Sequence, residues 1–457
     1  MTSVSKSAVN RRSLIKMSAA GGLAAAAASP RFMSGAFAKQ ATPVVANGPA
    51  KNIIFYLGDG MGQAHRDAGQ LTQVGPYTTL AMDSLPIVGM VGTNSVTPDG
   101  AVLVTDSAAA ATAFATGHKS FNGAIGVDAD GNTVTNLVEL AKAAGKSVGL
   151  VTTSQVTDAS PAAFAAHVED RDEQSEIARQ YIEEAKVDVI LGGGEDRWLP
   201  EGSAGTFPDN PAEDPEEQSS SDKGDLIARA KELGYEYVSD AAGLEAATGP
   251  KLLGLFANEE MFQQRPEGEG DIYDPVVTLN QMVTKAIEIL SQNPNGFLLF
   301  VEEEATDEFS HSNNATYVIK GMQYLEEAVQ TGLDFAESNP DTLVLVTADH
   351  ECGGLTLESP DDEDESGDGA TISAEDGPFP VAGTGYTFFM DWTTSGHTGV
   401  RVPLTATGPG SEKLAGYYEN THIFTALVEA FGLELPADLP TEITPGVPEP
   451  AASPVAQ

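Results

Sequence analysis

A single cysteine, Cys352, stands in 457 residues, so no intramolecular disulfide can staple the chain, whatever the compartment it folds in. Cations are scarce as well: 24 Lys and Arg face 67 Asp and Glu, a formal net charge of −43. A polyphosphate backbone is held by clustered cations, and no basic patch interrupts this acidic field, which excludes a nucleic-acid-binding module. Beyond residue 38 no apolar run approaches the roughly 20 residues that cross a bilayer, so no membrane span is expected there. What the chain does have is a globular composition, 41% hydrophobic and 20% charged, which is enough to bury a sizeable core.

Residues 1–38 differ from the rest. They carry Lys6, Arg11, Arg12, Lys16 and Arg31 and no acid, around the weakly apolar run AAGGLAAAAAS, and end in the small-residue site Ala36-Phe37-Ala38. The pattern reads as a cleavable export signal. Adjacent arginines in Asn10-Arg11-Arg12-Ser13-Leu14-Ile15-Lys16 point to the twin-arginine route, used by proteins exported already folded, with an ordinary secretory signal as the alternative. The protein is therefore expected in the periplasm or outside the cell. Cleavage removes five positive charges and no negative one, taking the net charge from −43 to −48. Self-repulsion of that kind is screened within about 3 Å at 1 M salt, so a saline habitat is expected. The melting temperature should then rise with NaCl, and a higher value in fresh buffer than in molar salt would overturn the expectation.

Apolar, β-branched runs recur at residues 52–57, 148–153, 187–191, 297–301 and 343–347 and read as buried parallel strands. Helical patterns lie between them, at 134–144, 173–185, 276–290 and 317–336. The alternation predicts an α/β fold, a central and mostly parallel sheet flanked by helices on both faces, occupying residues 39–435. Acidic stretches near 195–222 and 361–376 read as surface insertions. The run DDEDESGD in the second lacks the alternating ligands of a calcium loop and reads as solvated. Six prolines between Pro436 and Pro454 predict an extended tail over 436–457.

Open α/β sheets gather their sites beyond the carboxyl ends of the strands, and the polar residues of interest sit there. Gly58-Asp59-Gly60-Met61-Gly62 follows the first strand; its glycines allow a close backbone approach. Thr105-Asp106-Ser107 precedes AAAATAFATGHK, which puts a hydroxyl at the N-cap of an alanine-rich helix, where unpaired amides and the helix dipole favour negative charge. Asp158 and Ser160, after the second strand, offer hard oxygen ligands, and Arg171 is a forked donor suited to phosphate. In Val301-Glu302-Glu303-Glu304-Ala305-Thr306-Asp307-Glu308-Phe309-Ser310-His311 an apolar strand gives way to five carboxylates and a histidine. Bound cations offset the repulsion of carboxylates brought together in this way. Asp349-His350 follows another apolar strand, and His397 lies in the glycine-flanked turn Ser395-Gly396-His397-Thr398-Gly399. Imidazole with carboxylate suits zinc, and oxygen sets suit magnesium. His65, His118, His167 and His422 read as structural or exposed, and Cys352 as a small buried thiol rather than a ligand.

Taken in order, the runs GDGMG, TDSAAAATAFATGHKSFNGAIGVD, DASPAAFAAHVEDR, VEEEATDEFSH, TADH and SGHTG resemble the alkaline phosphatase family, from about Asn52 to the helix after His422. The resemblance implies hydrolysis of phosphate monoesters through a phosphoserine at Ser107, with two zinc ions and one magnesium ion. One zinc would take Asp307, His311 and His397; the second Asp59, Asp349 and His350 with the Ser107 oxygen. Magnesium would take Asp59, Ser160 and Glu302, with Asp158 directly or through water. Arg171 would bind phosphate and Asp106 would orient it. The family more often has threonine at Ser160, histidine occurs at Asp158, and Lys or His stands where this chain has Glu308. Members are often homodimers. A diesterase of the same superfamily usually leaves out the third-metal carboxylates, a sulfatase needs its own modified-residue motif, and a noncatalytic phosphate-binding protein needs no nucleophile. All three fit the residues less well.

Overall fold

Residues 52–57, NIIFYL, leave no polar side for solvent, so their strand must be covered on both faces. In the computed structural model, which describes residues 48–207, 218–264, 270–359 and 376–440, that strand lies near the middle of a ten-stranded sheet. The strands are β1 (Asn52–Gly58), β2 (Ile87–Gly92), β3 (Ser147–Gln155), β4 (Val189–Gly193), β5 (Glu236–Val238), β6 (Leu252–Leu255), β7 (Phe297–Glu303), β8 (Thr342–Thr347), β9 (Val402–Thr407) and β10 (Gly416–Glu419). Their spatial order is β10-β2-β9-β8-β1-β7-β3-β4-β6-β5. Every neighbouring pair is parallel except the two made by β9.

All five expected strands are present, and four of them, β8, β1, β7 and β3, are adjacent at the centre. The fifth starts two residues late, at Val189, because Val187 closes the preceding turn by donating to Tyr181 O. Two groups of helices cover the sheet. Gln63–Gln73, Leu279–Leu290 and Ala315–Ser338 pack together, as do Ser107–Thr116, Leu137–Ala143, Ala159–Ala165 and Thr421–Ala430. The expected helix at 134–144 starts at Leu137, where Asn136 and Glu139 form a capping box. The one at 173–185 divides into an α-helix, Gln174–Gln180, and a π-turn, Tyr181–Ala185.

The acidic stretch that begins at Glu195 is tied into the fold where it starts. Glu195, Asp196 and Trp198 are buried, and Glu195 accepts from the amides of Thr206 (2.6 Å) and Phe207 (3.1 Å) and from the Tyr237 hydroxyl (2.8 Å). Residues 208–217, 360–375 and 441–457 and the expected signal at 1–38 lie outside the described residues. Beside the main sheet, Leu355–Glu358, Thr387–Trp392 and Asp376–Pro380 form a small antiparallel sheet. Its Met390 and Trp392 share a second apolar cluster with Phe262, Tyr273 and Phe309. No helix among the described residues is long and apolar enough to cross a membrane.

Candidate active site

The four central strands point their carboxyl ends at one place. Asp59 follows β1, in a turn where Gly60 has φ +63° and a Cβ on it would meet Asp307 Oδ1 at 2.4 Å. Only glycine fits that approach. Glu302 is the penultimate residue of β7, and strand alternation sends Glu303 to the opposite side, where Tyr273 and Thr153 donate to it. Glu302 accepts instead from Thr152 Oγ1 of β3 at 2.6 Å. Asp307 and His311 are four residues apart on the helix Ala305–His311 and so share a face. Phe309 points away from that face and packs 4.8 Å from Tyr317 and 5.3 Å from Phe262, which fixes the helix in rotation.

Asp349 and His350 follow β8. Asp349 Oδ1 accepts from Gly60 N at 3.2 Å, locking the two turns together. His350 is fully buried, with Nε2 3.0 Å from Asp349 Oδ2, 3.5 Å from Asp59 Oδ1 and 3.3 Å from Ser107 Oγ. Its ring stacks on His397, centroids 3.5 Å apart. His311 and His397 bring their Nε2 atoms to 3.0 Å, and His311 Nε2 is 3.1 Å from Asp307 Oδ2. Each ring is held from behind: His311 Nδ1 donates to Ser395 O (2.7 Å) and His397 Nδ1 to Thr105 O (3.0 Å). Those bonds leave both Nε2 lone pairs facing each other and Asp307, an arrangement that calls for a cation.

Ser107 is not the N-cap expected from the sequence. Asp106 caps, accepting from Ala109 N at 2.9 Å and Gly123 N at 2.7 Å, and Ser107 is the first helical residue. The hydroxyl still lies in the first turn, where amides are unpaired. Arg171 Nη2 is 2.7 Å from Asp158 Oδ1 and its Nη1 3.6 Å from Asp106 Oδ2. Asp158 is further engaged by Ser154 Oγ (2.8 Å) and Ala159 N (2.7 Å). Ser160 Oγ donates to Asp59 Oδ2 at 3.5 Å.

The electrostatics describe a site built around missing positive charge. Burial, then the charges of Asp349, Asp307 and Glu302, raises Asp59 well above the carboxylate range. Burial pushes Glu302 up to about 8. It also works against ionisation of Asp307, yet His311, His397 and His350 hold that carboxyl well below its usual value. Burial likewise opposes the charge of Asp158, and Arg171 outweighs it. Asp59 Oδ1, Glu302 Oε1, Asp307 Oδ1 and His350 Nδ1 are buried without a hydrogen-bond partner. Orphaned oxygens at this density fit divalent cations. Four overlapping groups can hold them: Asp307, His311, Cys352 and His397; Asp59, Asp307 and His350; Asp59, Glu302 and Glu304; and Glu304, Asp307 and Glu308.

All twelve residues expected from the sequence thus stand in and around one place. Sequence reasoning missed Thr152 and Ser154, whose only signal was a position near the end of β3, and Glu304, hidden in a run of three like residues. The other four histidines are occupied structurally. His65 bridges Gly62 N and Ser310 Oγ, His118 Thr116 O and Asp438 O, and His167 Gly126 O and Glu139, while His422 meets Lys413 O.

Buried acids and imidazoles at the carboxyl ends of parallel strands define a metal-dependent enzyme. The alkaline phosphatase family matches residues 50–382. An alkaline phosphatase of Escherichia fergusonii is 34% identical over 433 residues, covering 84% of this chain and 87% of its own. The streptomycin-6-phosphate phosphatase of Streptomyces griseus is 33% identical, covering 84% and 91%. Among solved structures, the alkaline phosphatase of the Antarctic bacterium TAB5 superposes with a TM-score of 0.67 at 30% identity, covering 84% of this chain and 99% of that one. The chain belongs to the alkaline phosphatase family and is a phosphatase, with small phosphate monoesters as the substrate class.

Proposed function

We propose that the protein hydrolyses phosphate monoesters through a phosphorylated Ser107, at a centre holding two zinc ions and one magnesium ion. The observation that carries this reading is the position of Ser107 Oγ, 3.3 Å from His350 Nε2, in the first turn of a helix and beside the orphaned carboxylates. Asp307, His311 and His397 would hold one zinc; Asp59, Asp349 and His350, with Ser107, the other. Asp59, Ser160 and Glu302 would hold magnesium, with Asp158 behind a water. When bound, these ions supply Lewis acidity and neutralise charge on the transferring group.

The helix N-terminus favours the alkoxide of Ser107, so its Oγ attacks phosphorus as the bond to the ester oxygen breaks and the alcohol leaves. Water then attacks the phosphoserine, the Oγ–phosphorus bond breaks, and inorganic phosphate departs with Ser107 restored. Asp158 and Asp106 hold two corners of the Arg171 guanidinium and leave its remaining donors for phosphate oxygens. These contacts involve the phosphoryl group only, which supports broad specificity for the alcohol. Export by the twin-arginine route, periplasmic or extracellular residence and a homodimeric state complete the proposal.

Turnover of a chromogenic phosphomonoester, followed with elemental analysis before and after chelation, tests it. The expected result is two zinc and one magnesium per chain, with activity lost on their removal. A fully active metal-free protein, or a loaded protein with no turnover, would overturn it.

Glu308 stands where the family resemblance implies Lys or His. Its Oε2 accepts from Gln264 Nε2 at 2.6 Å, beside the acids of the site. A carboxylate there repels phosphate, so Glu308→Lys should tighten inhibition by inorganic phosphate about fivefold, the size of a half-screened charge contact. An unchanged inhibition constant would refute this.

A further inference from the structure

We propose that Cys352 is a fourth protein ligand, through Sγ, of the zinc ion assigned above to Asp307, His311 and His397, an inference that rests on that assignment. Three observations place the thiol there. Glu351–Cys352 and His397–Thr398 form a two-residue antiparallel bridge in which Cys352 lies directly opposite His397. Opposed residues of such a pair project from the same side, with Cβ atoms about 5 Å apart. The bridge is anchored at both ends, since Cys352 N donates to Gly60 O and Gly353 N to Gly396 O, each at 3.0 Å. The thiol therefore cannot swing far from the imidazole.

Second, one donor atom from each of Asp307, His311, Cys352 and His397 lies within 4.8 Å of all the others. That spacing closes around a single tetrahedral ion with modest side-chain movement. Third, the space between them contains unmet polar demand, and the Cys352 thiol is itself turned toward the Asp307 carboxylate. Asp307 is 3% exposed and its Oδ1 has no hydrogen-bond partner, and the Nε2 lone pairs of His311 and His397 face one another at 3.0 Å. A cysteine that merely filled a void would sit among apolar neighbours. This one is fully buried among an acid and two imidazoles.

Coordination would form the Sγ–metal bond with release of the thiol proton to solvent. A set of two imidazoles, one carboxylate and one thiolate is softer than the same set without sulfur and favours zinc over harder divalent ions. Since Cys352 is the sole cysteine, any thiolate signature in the loaded protein belongs to it.

The experiment loads the full chain with cobalt(II) in place of zinc and records its absorption. The expected result is a near-ultraviolet thiolate-to-cobalt charge-transfer band alongside the visible d–d bands, with the former missing in Cys352→Ser and Cys352→Ala. In the zinc-loaded protein the same variants should surrender one ion to a competing chelator at least about tenfold more readily. Full cobalt occupancy with d–d bands but no charge-transfer band in the wild-type chain would overturn the inference and leave the metal assignment standing. Failure to take up any transition metal would overturn both. The wild-type spectrum decides even if a variant does not fold.

Discussion

Replacing Ser107 with alanine is expected to lower kcat for a phosphomonoester by at least about 1000-fold and to abolish covalent labelling by a phosphoryl donor. The loss should be confined to the chemistry. Asp106, not Ser107, caps the helix, and the next four residues are already alanine. Alanine at the first helical position therefore keeps the cap and is a good helix former, so stability should change by no more than about 0.5 kcal/mol. Metal content should also stay close to that of the wild type, because His350, Asp59 and Asp349 remain. Acid-quenched protein after brief exposure to a labelled ester is the measurement. Label retained in the variant, or turnover above a tenth of wild type, would remove Ser107 from the mechanism and favour direct attack by water.

The second large effect is on stability. Stripping divalent ions from the wild-type chain should lower its melting temperature by on the order of 10 °C, since each tightly held ion contributes about 4 kcal/mol when present at a thousand times its dissociation constant. Asp59 and Asp349 are fully buried, and Glu302 and Glu304 nearly so. Without cations, their carboxyls must either take up protons or repel one another. Asp59→Asn then has opposite consequences in the two states. It removes from the stripped protein a buried acid that must stay protonated against its neighbours, so that form should melt higher than stripped wild type, and removes from the loaded protein the ligand proposed to be shared by two ions, so that form should melt lower. Calorimetry of both proteins with and without chelator reads the crossover. Curves that respond to chelator equally in the two proteins would show that Asp59 holds no ion.

Much of this was legible in the sequence because the central strands are buried on both faces and so read as unbroken apolar runs, each ending abruptly in acid or imidazole. That sharp transition located Asp59, Glu302, Asp307, Asp349 and His350. The outer strands escaped notice for physical reasons. Pro403 interrupts β9, glycines interrupt β2, and β10 is half exposed, so none has the composition of a covered strand. Ser107 was placed one residue early relative to the cap because Asp and Ser are equally good cap residues and only backbone geometry chooses between them. The proximity of Cys352 to His397 depends on a two-residue bridge between segments 45 positions apart in the chain, too short to leave a periodic pattern. Glu304 and Glu308 could be read as acidic, but not as facing inward with Asp307.

Asn52 and Thr342, which begin neighbouring strands at the middle of the sheet and are joined by a 3.0 Å side-chain bond, are separated by 290 positions. The first strand to be synthesised thus waits for most of the polypeptide before either of its partners exists. Contacts this distant in sequence make for slow folding, with bare apolar edges exposed to aggregation meanwhile. A nascent chain threaded through a pore in extended form would reach the far side of a bilayer with the heart of its sheet still unassembled. One moved after folding would already be complete.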